Sequence, residues 1–285
     1  MTDRIISRLF GGAGNQLFQY AAGRALADRL GCALVLDARY IEGSTDRGDC
    51  FTHYANARFE RATDLPPAKS DGAVRYGMWR AFGLNPKFHR ERGLGVNPGF
   101  FDLGPNTYLH GYWQSQAYFG HNLDQLHKDL AFTTPLDRAN ADMAAQIASA
   151  AAPVSVHVRR GDYLASGSFA ACSPAYYTSA VDHLAAQSNQ PLTCFVFSND
   201  PAWARDNLDL GYETVVVDIN DETTGHFDMH LQSLCAHNVI ANSTFSWWAA
   251  WLNDSLEKTV VAPKAWFNDP KLINPDLIPD GWVRF

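Results

Sequence analysis

Three clusters of side chains in this sequence have the types and spacing to hold an anionic or sugar-bearing ligand. The first is Gly11-Gly12-Ala13-Gly14-Asn15-Gln16. Glycine reaches positive φ and lets a ligand approach the backbone. A helix starting there adds free N–H groups and the positive end of its dipole. As a dinucleotide fingerprint, Gly12-Ala13-Gly14-Asn15-Gln16-Leu17 lacks the third glycine, although Asp37 stands at a suitable distance for a ribose contact. As a P-loop it lacks the Gly-Lys-Ser/Thr ending. The stretch also reads as a tight strand-to-helix turn that binds nothing.

The second cluster is His157-Val158-Arg159-Arg160-Gly161-Asp162-Tyr163, at the end of a β-like run. Ligands of open α/β sheets bind outside the carboxyl ends of the strands, so these side chains emerge where a ligand would lie. Arg159 or Arg160 can grip a phosphate with two parallel hydrogen bonds, which Lys cannot do. The plain alternative is an Arg–Asp ion pair within an exposed loop. The third cluster is Asn242-Ser243-Thr244-Phe245-Ser246-Trp247-Trp248. Its hydroxyls at Ser243, Thr244 and Ser246 can cap a helix or cradle an anion. Trp247, Trp248 and Trp251 suit either helix packing or stacking on a sugar ring. Upstream, Asp228 serves either as a helix cap or as an acceptor for the N1–H and N2–H edge of guanine.

Other chemistries lack their residues. No two aspartates are separated by a single residue, and there is no G-x-S-x-G elbow and no H-E-x-x-H. The five cysteines are scattered without a CxxC or Cys/His cluster. They read as reduced thiols, and no metal site or cofactor is expected. Lys+Arg total 23 against Asp+Glu 30, a formal net charge of -7, so charge-driven binding to nucleic acid is excluded. The N-terminus has no secretory apolar region and no run is long enough to span a bilayer, which points to a cytoplasmic protein.

These clusters need a scaffold of alternating strands and helices. Arg4–Phe10, Asn15–Leu30 and Ala33–Leu36 read as strand, helix and strand, with Gly31 ending the helix. Residues 43–106 show little periodicity and read as loops and short helices that shape an acceptor groove. A strand is expected over Thr107–Trp113, and helices over Gln116–Leu130 and Ala139–Ala151. From Val154 the alternation becomes regular, with Ser173-Pro174 and Asn199-Asp200-Pro201 opening helices. The predicted architecture is α/β, with two Rossmann-like halves facing a cleft. They comprise an acceptor-side domain over 1–152 and a ligand-binding domain over 153–285, with the boundary region at 131–153.

Taken together, Gly11 to Ala21, His157 to Tyr163, Ser198-Asn199-Asp200 with Trp203, and Ser243 to Trp248 resemble the motifs of the α-1,2-fucosyltransferases of glycosyltransferase family 11. They occur in the family's order. Ala13 stands where the family often has a bulkier Leu. The resemblance implies a GT-B-like fold, a GDP-β-L-fucose donor, a galactoside acceptor and inverting, metal-independent transfer in a bacterial enzyme. Any membrane contact would be peripheral, through a lipid-linked glycan. It places Arg159 at the donor β-phosphate, His157 and Asp228 near the guanine, and Ser243, Thr244 and Ser246 at the phosphate cradle. Gly12, Gly14, Asn15 and Gln16 fall on the fucose and acceptor side, while Arg160 and Asp200 join the donor-binding set. Asp162 is the first candidate for the base, with Asp37 and Asp102 as rivals. Fucosyl transfer in α-1,6 or α-1,3 linkage, and carbohydrate binding without catalysis, are the alternatives.

Overall fold

The computed structural model describes residues 3–42, 48–62, 64–83, 85–160 and 172–285. The chain divides into two compact units, Met1–Ala131 with Asn274–Leu277, and Phe132–Ile273 with Ile278–Phe285. Both are parallel α/β units, as the strand–helix alternation predicts. No helix among the described residues is long and apolar enough to cross a membrane.

The first unit carries a 4-stranded sheet in the order β2-β1-β4-β3. Its strands are β1 (Arg4–Arg8), β2 (Ala33–Asp37), β3 (Lys87–Arg90) and β4 (Thr107–His110). Helix α1 (Ala13–Leu30) crosses from β1 to β2 and ends on Gly31 in the left-handed region, φ 64°. Two contacts seat it. Gln19 is fully buried, and its amide both donates to Phe10 O and accepts from Phe10 N, at 3.1 and 3.0 Å, extending the pairing of β1 past its last residue. At Gly23 a Cβ would lie 2.9 Å from Leu34 Cδ1 and 3.0 Å from Ser7 Cβ, so only glycine lets α1 approach β1 and β2 this closely. The close-packing glycine missing from the loop is thus supplied two turns further along the helix.

Two sequence expectations change here. The strand expected over Thr107–Trp113 stops at His110, because Trp113 turns the chain with φ 56°. The helix expected over Gln116–Leu130 is broken into 3-10 turns at Gln116–Tyr118 and Gly120–Asn122 followed by an α-helix at Leu123–Asp129. The segment 43–106 contains a ten-residue helix, Ala73–Phe82, and the edge strand β3. Both are short and largely exposed, the helix with no buried residue, so neither adds a marked core segment to the sequence.

The second unit holds a 6-stranded sheet in the order β10-β9-β8-β5-β6-β7. Its strands are β5 (Ala152–Val158), β6 (Leu192–Ser198), β7 (Glu213–Val217), β8 (His237–Val239), β9 (Val260–Ala262) and β10 (Val283–Arg284). Every residue of β5 is buried, as expected of a central strand in a parallel sheet covered on both faces. The helix Arg138–Ser149 belongs to this unit, ahead of the division at 152/153 read from the sequence, because Ile147 packs among Phe195, Phe197, Val217 and Leu231.

Gly12 contrasts with Gly23: it lies at φ -72°, and a Cβ placed there would have nothing within 4 Å. Gly23→Val is therefore expected to cost about 1–3 kcal/mol from overpacking. Gly12→Ala is expected to stay within about 0.5 kcal/mol. Urea unfolding of the two variants tests the contrast, and equal losses would reject it.

Candidate functional site

In the second unit the strand order reverses beside β5. The chain runs β5 to β6 to β7 on one side, then crosses back to β8 and β9 on the other. At such a switch the loops leaving two adjacent strands diverge and open a crevice at their carboxyl ends. The adjacent strands here are β5 and β8, paired in parallel through Val154↔His237 and Val156↔Val239. The loop leaving β5 begins with Arg159-Arg160, and the loop leaving β8 leads to Ser243 and the helix Thr244–Trp251. Two motifs that lie far apart in sequence therefore meet at one end of one sheet.

His157 sits at this point, 5% exposed, with its ring 5.6 Å from that of Phe245 in the first turn of the helix Thr244–Trp251. Burial, reinforced by the charge of Arg159, pushes its pKa down to about 3, so the imidazole is neutral at physiological pH. Its Nδ1 is buried without a hydrogen-bond partner among the described residues. A neutral ring with an unmet nitrogen next to a helix start is suited to a polar ligand edge. Gly225, the first residue of the helix Gly225–Ser233, approaches the same Phe245 ring, with a Cβ position 3.9 Å away. That helix carries Asp228.

Asp228 ends a chain of amides. Asp137 Oδ1 accepts from Asn140 Nδ2, Asn140 and Asn220 exchange hydrogen bonds at 2.9 and 3.1 Å, and Asn220 Nδ2 donates to Asp228 Oδ1 at 2.7 Å. Burial raises the Asp228 carboxyl and the Asn220 bond lowers it, while the charge of Asp218 raises it again, leaving a pKa of about 6. Among the described residues no hydrogen bond reaches its Oδ2. One oxygen is fixed and the other is left for an incoming donor.

Arg160 and Asp200 are placed together, but toward the protein. The Arg160 guanidinium lies 3.7 Å from the centroid of the Trp203 ring, a cation–π contact, and its backbone N–H donates to Asn199 Oδ1 at 3.0 Å. Asp200 caps the helix Pro201–Asn207 by accepting from Trp203 N, and its own N–H donates to Ser198 Oγ. The Ser198-Asn199-Asp200 motif with Trp203 thus clamps the start of the loop that follows β5. Asp162, with Gly161 and Tyr163, lies outside the described residues.

The hydroxyls of the third motif are largely engaged internally. Ser243 caps the helix by accepting from Phe245 N at 3.3 Å. Ser246 Oγ is buried and donates to the carbonyls of Ala241 and Ser243. Thr244 is the first residue of the helix and is partly exposed. Trp247, Trp248 and Trp251 are buried, with ring centroids 5.1 Å apart for two of the pairs, so they form core instead of a sugar platform.

In the first unit the loop after β1 is tightly built. Gly11 has φ 83°, and a Cβ there would lie 2.6 Å from Asn15 Nδ2. Gly12 and Gly14 bracket the start of α1, with Gly14 buried inside it. Gln16 is buried and saturated: its Nε2 donates to Gly11 O and Gly48 O, and its Oε1 accepts from Cys50 N. Asn15 is half-exposed and its Oδ1 accepts from Gln114 Nε2 at 2.8 Å. Asp37 is gripped by Arg39 through both oxygens at 2.8 Å and by Tyr108 OH at 2.6 Å. Burial opposes its ionisation, but these three bonds outweigh it and hold the carboxyl below its usual range. Asp102 is exposed in a turn.

Sequence reasoning missed Glu91. Its two oxygens accept from Tyr112 N at 2.6 Å and Trp113 N at 3.0 Å, bracing the left-handed turn after β4. Burial pushes its pKa up to about 7 against those bonds. Nothing local in the sequence marks it, since its partners lie more than twenty residues away.

A parallel two-unit α/β fold of GT-B-like type, with Arg159, His157 and a helix start meeting at the switch of its second sheet, is that of a class of glycosyltransferases. Residues 92–285 match the model of glycosyl transferase family 11, and the chain belongs to that family. Two relatives are from Escherichia coli. An alpha-1,2-colitosyltransferase is 29% identical, with 98% of each chain covered. The O-antigen biosynthesis glycosyltransferase WbnK is 30% identical over 98% of this chain and 99% of its own. The galactoside alpha-(1,2)-fucosyltransferase 1 of Saimiri boliviensis boliviensis is 29% identical over 84% of this chain, which spans 62% of that protein. Among solved structures, a point variant of Arabidopsis thaliana FUT1 in complex with GDP shares the fold, with a TM-score of 0.56 and 12% identity over 92% of this chain and 70% of that one.

The folded chain holds the Asp228 proton more tightly than the unfolded chain, where an aspartate titrates near ~3.9. The carboxyl's contribution to stability is therefore full below about pH 4 and declines as pH rises through about 6. Asp228→Asn keeps an acceptor for Asn220 and is expected to abolish that slope in urea midpoints measured between those pH values. An unchanged slope would reject the assignment.

Proposed function

We propose that this chain transfers L-fucose from GDP-β-L-fucose to the 2-hydroxyl of a terminal galactoside, with inversion and without a metal ion. The observation that carries the proposal is the meeting of Arg159, His157 and the start of the helix Thr244–Trp251 at the switch of the second sheet, next to the helix of Asp228. The names of the relatives, which share an α-1,2 linkage, support the regiochemistry.

In this reading the second unit takes the donor. Asp228 accepts from the guanine edge through the oxygen that Asn220 leaves unbound, and neutral His157 offers its unmet nitrogen to the nucleoside. Arg159 and the N–H groups at the helix start receive the charge that grows on the leaving diphosphate as the anomeric bond breaks, in the role a metal plays elsewhere. Arg160 and Asp200 join the donor-binding set, Arg160 from its seat on Trp203 with its Nε buried without a hydrogen-bond partner among the described residues. The acceptor hydroxyl attacks the anomeric carbon from the opposite face and its proton passes to a base. Asp162 is the first candidate for that base.

The test is incubation of the protein with GDP-fucose and lactose in EDTA, with product linkage determined by NMR. Fucose on O2 of the galactose is expected. Release of GDP without fucosylated product would keep the donor and reject lactose as acceptor, and no GDP release with any galactoside would overturn the enzymatic reading. Because one relative is named for colitosyl transfer, a colitosyl donor is the second to try. Arg159→Lys keeps the charge but loses the planar fork, and is expected to lower kcat on the order of 10²-fold with a smaller change in KM.

A further inference from the structure

The carboxyl end of the first sheet finishes in a polar rung. Asp37 of β2 pairs with Arg8 of β1 and His110 of β4 with Arg90 of β3, and the two pairs follow directly on the last registered pair of β1 and β4, Ser7↔Leu109. Side chains at one register level point to the same face. The level two residues earlier on that face is apolar, with Val35, Ile6, Tyr108 and Phe88 packed under Trp79 and Leu65. The polar rung therefore lies at the edge of a covered core, at the strand ends where ligands of parallel sheets bind.

The charge on this rung is unbalanced. Asp37 is occupied by Arg39 and Tyr108. Arg8 Nη1 meets His110 Nδ1 at 3.3 Å, and Arg90 is His110's partner on the other side. A third guanidinium, Arg80, lies 4.7 Å from the Phe88 ring centroid, and that ring is 5.6 Å from His110. Among the described residues no carboxylate pairs with Arg8, Arg80 or Arg90. Burial and these three cations together hold His110 down at about 4, so it is neutral and adds no positive charge of its own. Three arginines without a carboxylate partner among the described residues, set around one neutral histidine, stand out in a chain of net charge -7.

An aromatic wall borders the rung. Phe10 lies 4.7 Å from Tyr112 and 5.5 Å from His110, and the Arg8 guanidinium is 5.5 Å from Tyr40 and 5.8 Å from Phe10. Tyr40 is 56% exposed and Tyr112 38% exposed. Aromatic faces beside a guanidinium fork match a pyranose ring that bears an acid group: the ring stacks and the acid takes two N–H donors.

We propose that the row Arg8, His110 and Arg90, with the Tyr40 and Tyr112 faces, binds the acidic group of a negatively charged acceptor glycan. This inference rests on the transferase reading and adds to the galactoside that accepts fucose a second feature of the preferred acceptor, an acidic sugar that carries it or stands next to it. Arg8 supplies the fork, Arg80 and Arg90 supply the field, and the bound anion draws a proton onto His110.

The whole protein, labelled at histidine, is titrated by NMR with methyl β-D-glucuronide, methyl β-D-glucoside, inorganic phosphate and phosphatidylglycerol vesicles, with His110→Gln assigning the resonance. A saturable response to the glucuronide is expected, at a roughly millimolar Kd. It should weaken with salt and raise the His110 pKa by about one unit or more. The neutral glucoside should give none. Arg8→Ala should weaken binding about tenfold, and Arg90→Ala, at an exposed position, should weaken it severalfold without a folding defect. Phosphate competing more tightly than the glucuronide would support the site and identify the acid as a phosphate ester. Equal responses to glucuronide and glucoside, a response retained in both arginine variants, or a response to vesicles alone would overturn the proposal. Transfer to lactose is read separately: intact transfer with no glucuronide response removes only this inference, and glucuronide binding without transfer removes only the transferase reading.

Discussion

Strand β5 hydrogen-bonds in parallel to β6 over its whole length and to β8 on its other side, and all seven of its residues are buried. The candidate donor site depends on that double pairing. A parallel sheet gathers the carboxyl ends of its strands on one edge, and a reversal of order separates the loops leaving neighbours. His157 and Arg159 leave β5 on the same edge at which β8 delivers Ser243 and its helix. Burial of β5 does more than hold the sheet. It removes water from His157, and that, with the nearby Arg159 charge, keeps the ring neutral.

The polar groups of the sequence motifs fall into two kinds by the partners they already have. Gln16 and Gln19 bond the protein's own backbone through both ends of their amides, Ser246 donates to backbone carbonyls, and Asp200 and Ser243 each cap a helix. They build turns and caps, and a buried amide left unpaired would cost about 1–3 kcal/mol, which is reason enough for their presence. His157 and Asp228 each keep a polar atom without a partner among the described residues. A motif thus contains both the groups that would meet a ligand and the groups that hold those in place, and Asn199, which accepts from Arg160 N, is one of the supports.

The first unit uses the same logic with different chemistry. Its sheet is four strands wide, and the end of that sheet carries guanidinium groups against aromatic rings where the second unit carries a helix start. Glu91 braces the turn after β4, which sets Tyr112 against Phe10, and Gln114, next beyond that turn, reaches Asn15 of the glycine loop. The glycine loop and the polar rung are therefore parts of one braced surface.

Local physics was enough to determine much of this protein from sequence. Glycine punctuation around α1, Ser173-Pro174 and Asp200-Pro201 at helix starts, and apolar runs at β5 and β6 each act over a few residues, and the resulting elements match the structure closely. The motif residues themselves were legible for the same reason. The tertiary structure decided which of them work as supports. The saturation of Gln16 depends on Gly48 and Cys50, and the clamp on Arg160 depends on Asn199 and Trp203, contacts that span tens of residues. It also decided the rung Asp37–Arg8–His110–Arg90 and the bracing by Glu91, because strand register brings together residues from segments with no shared periodicity. Charge balance and burial are properties of a neighbourhood, and a neighbourhood exists only after the chain has folded.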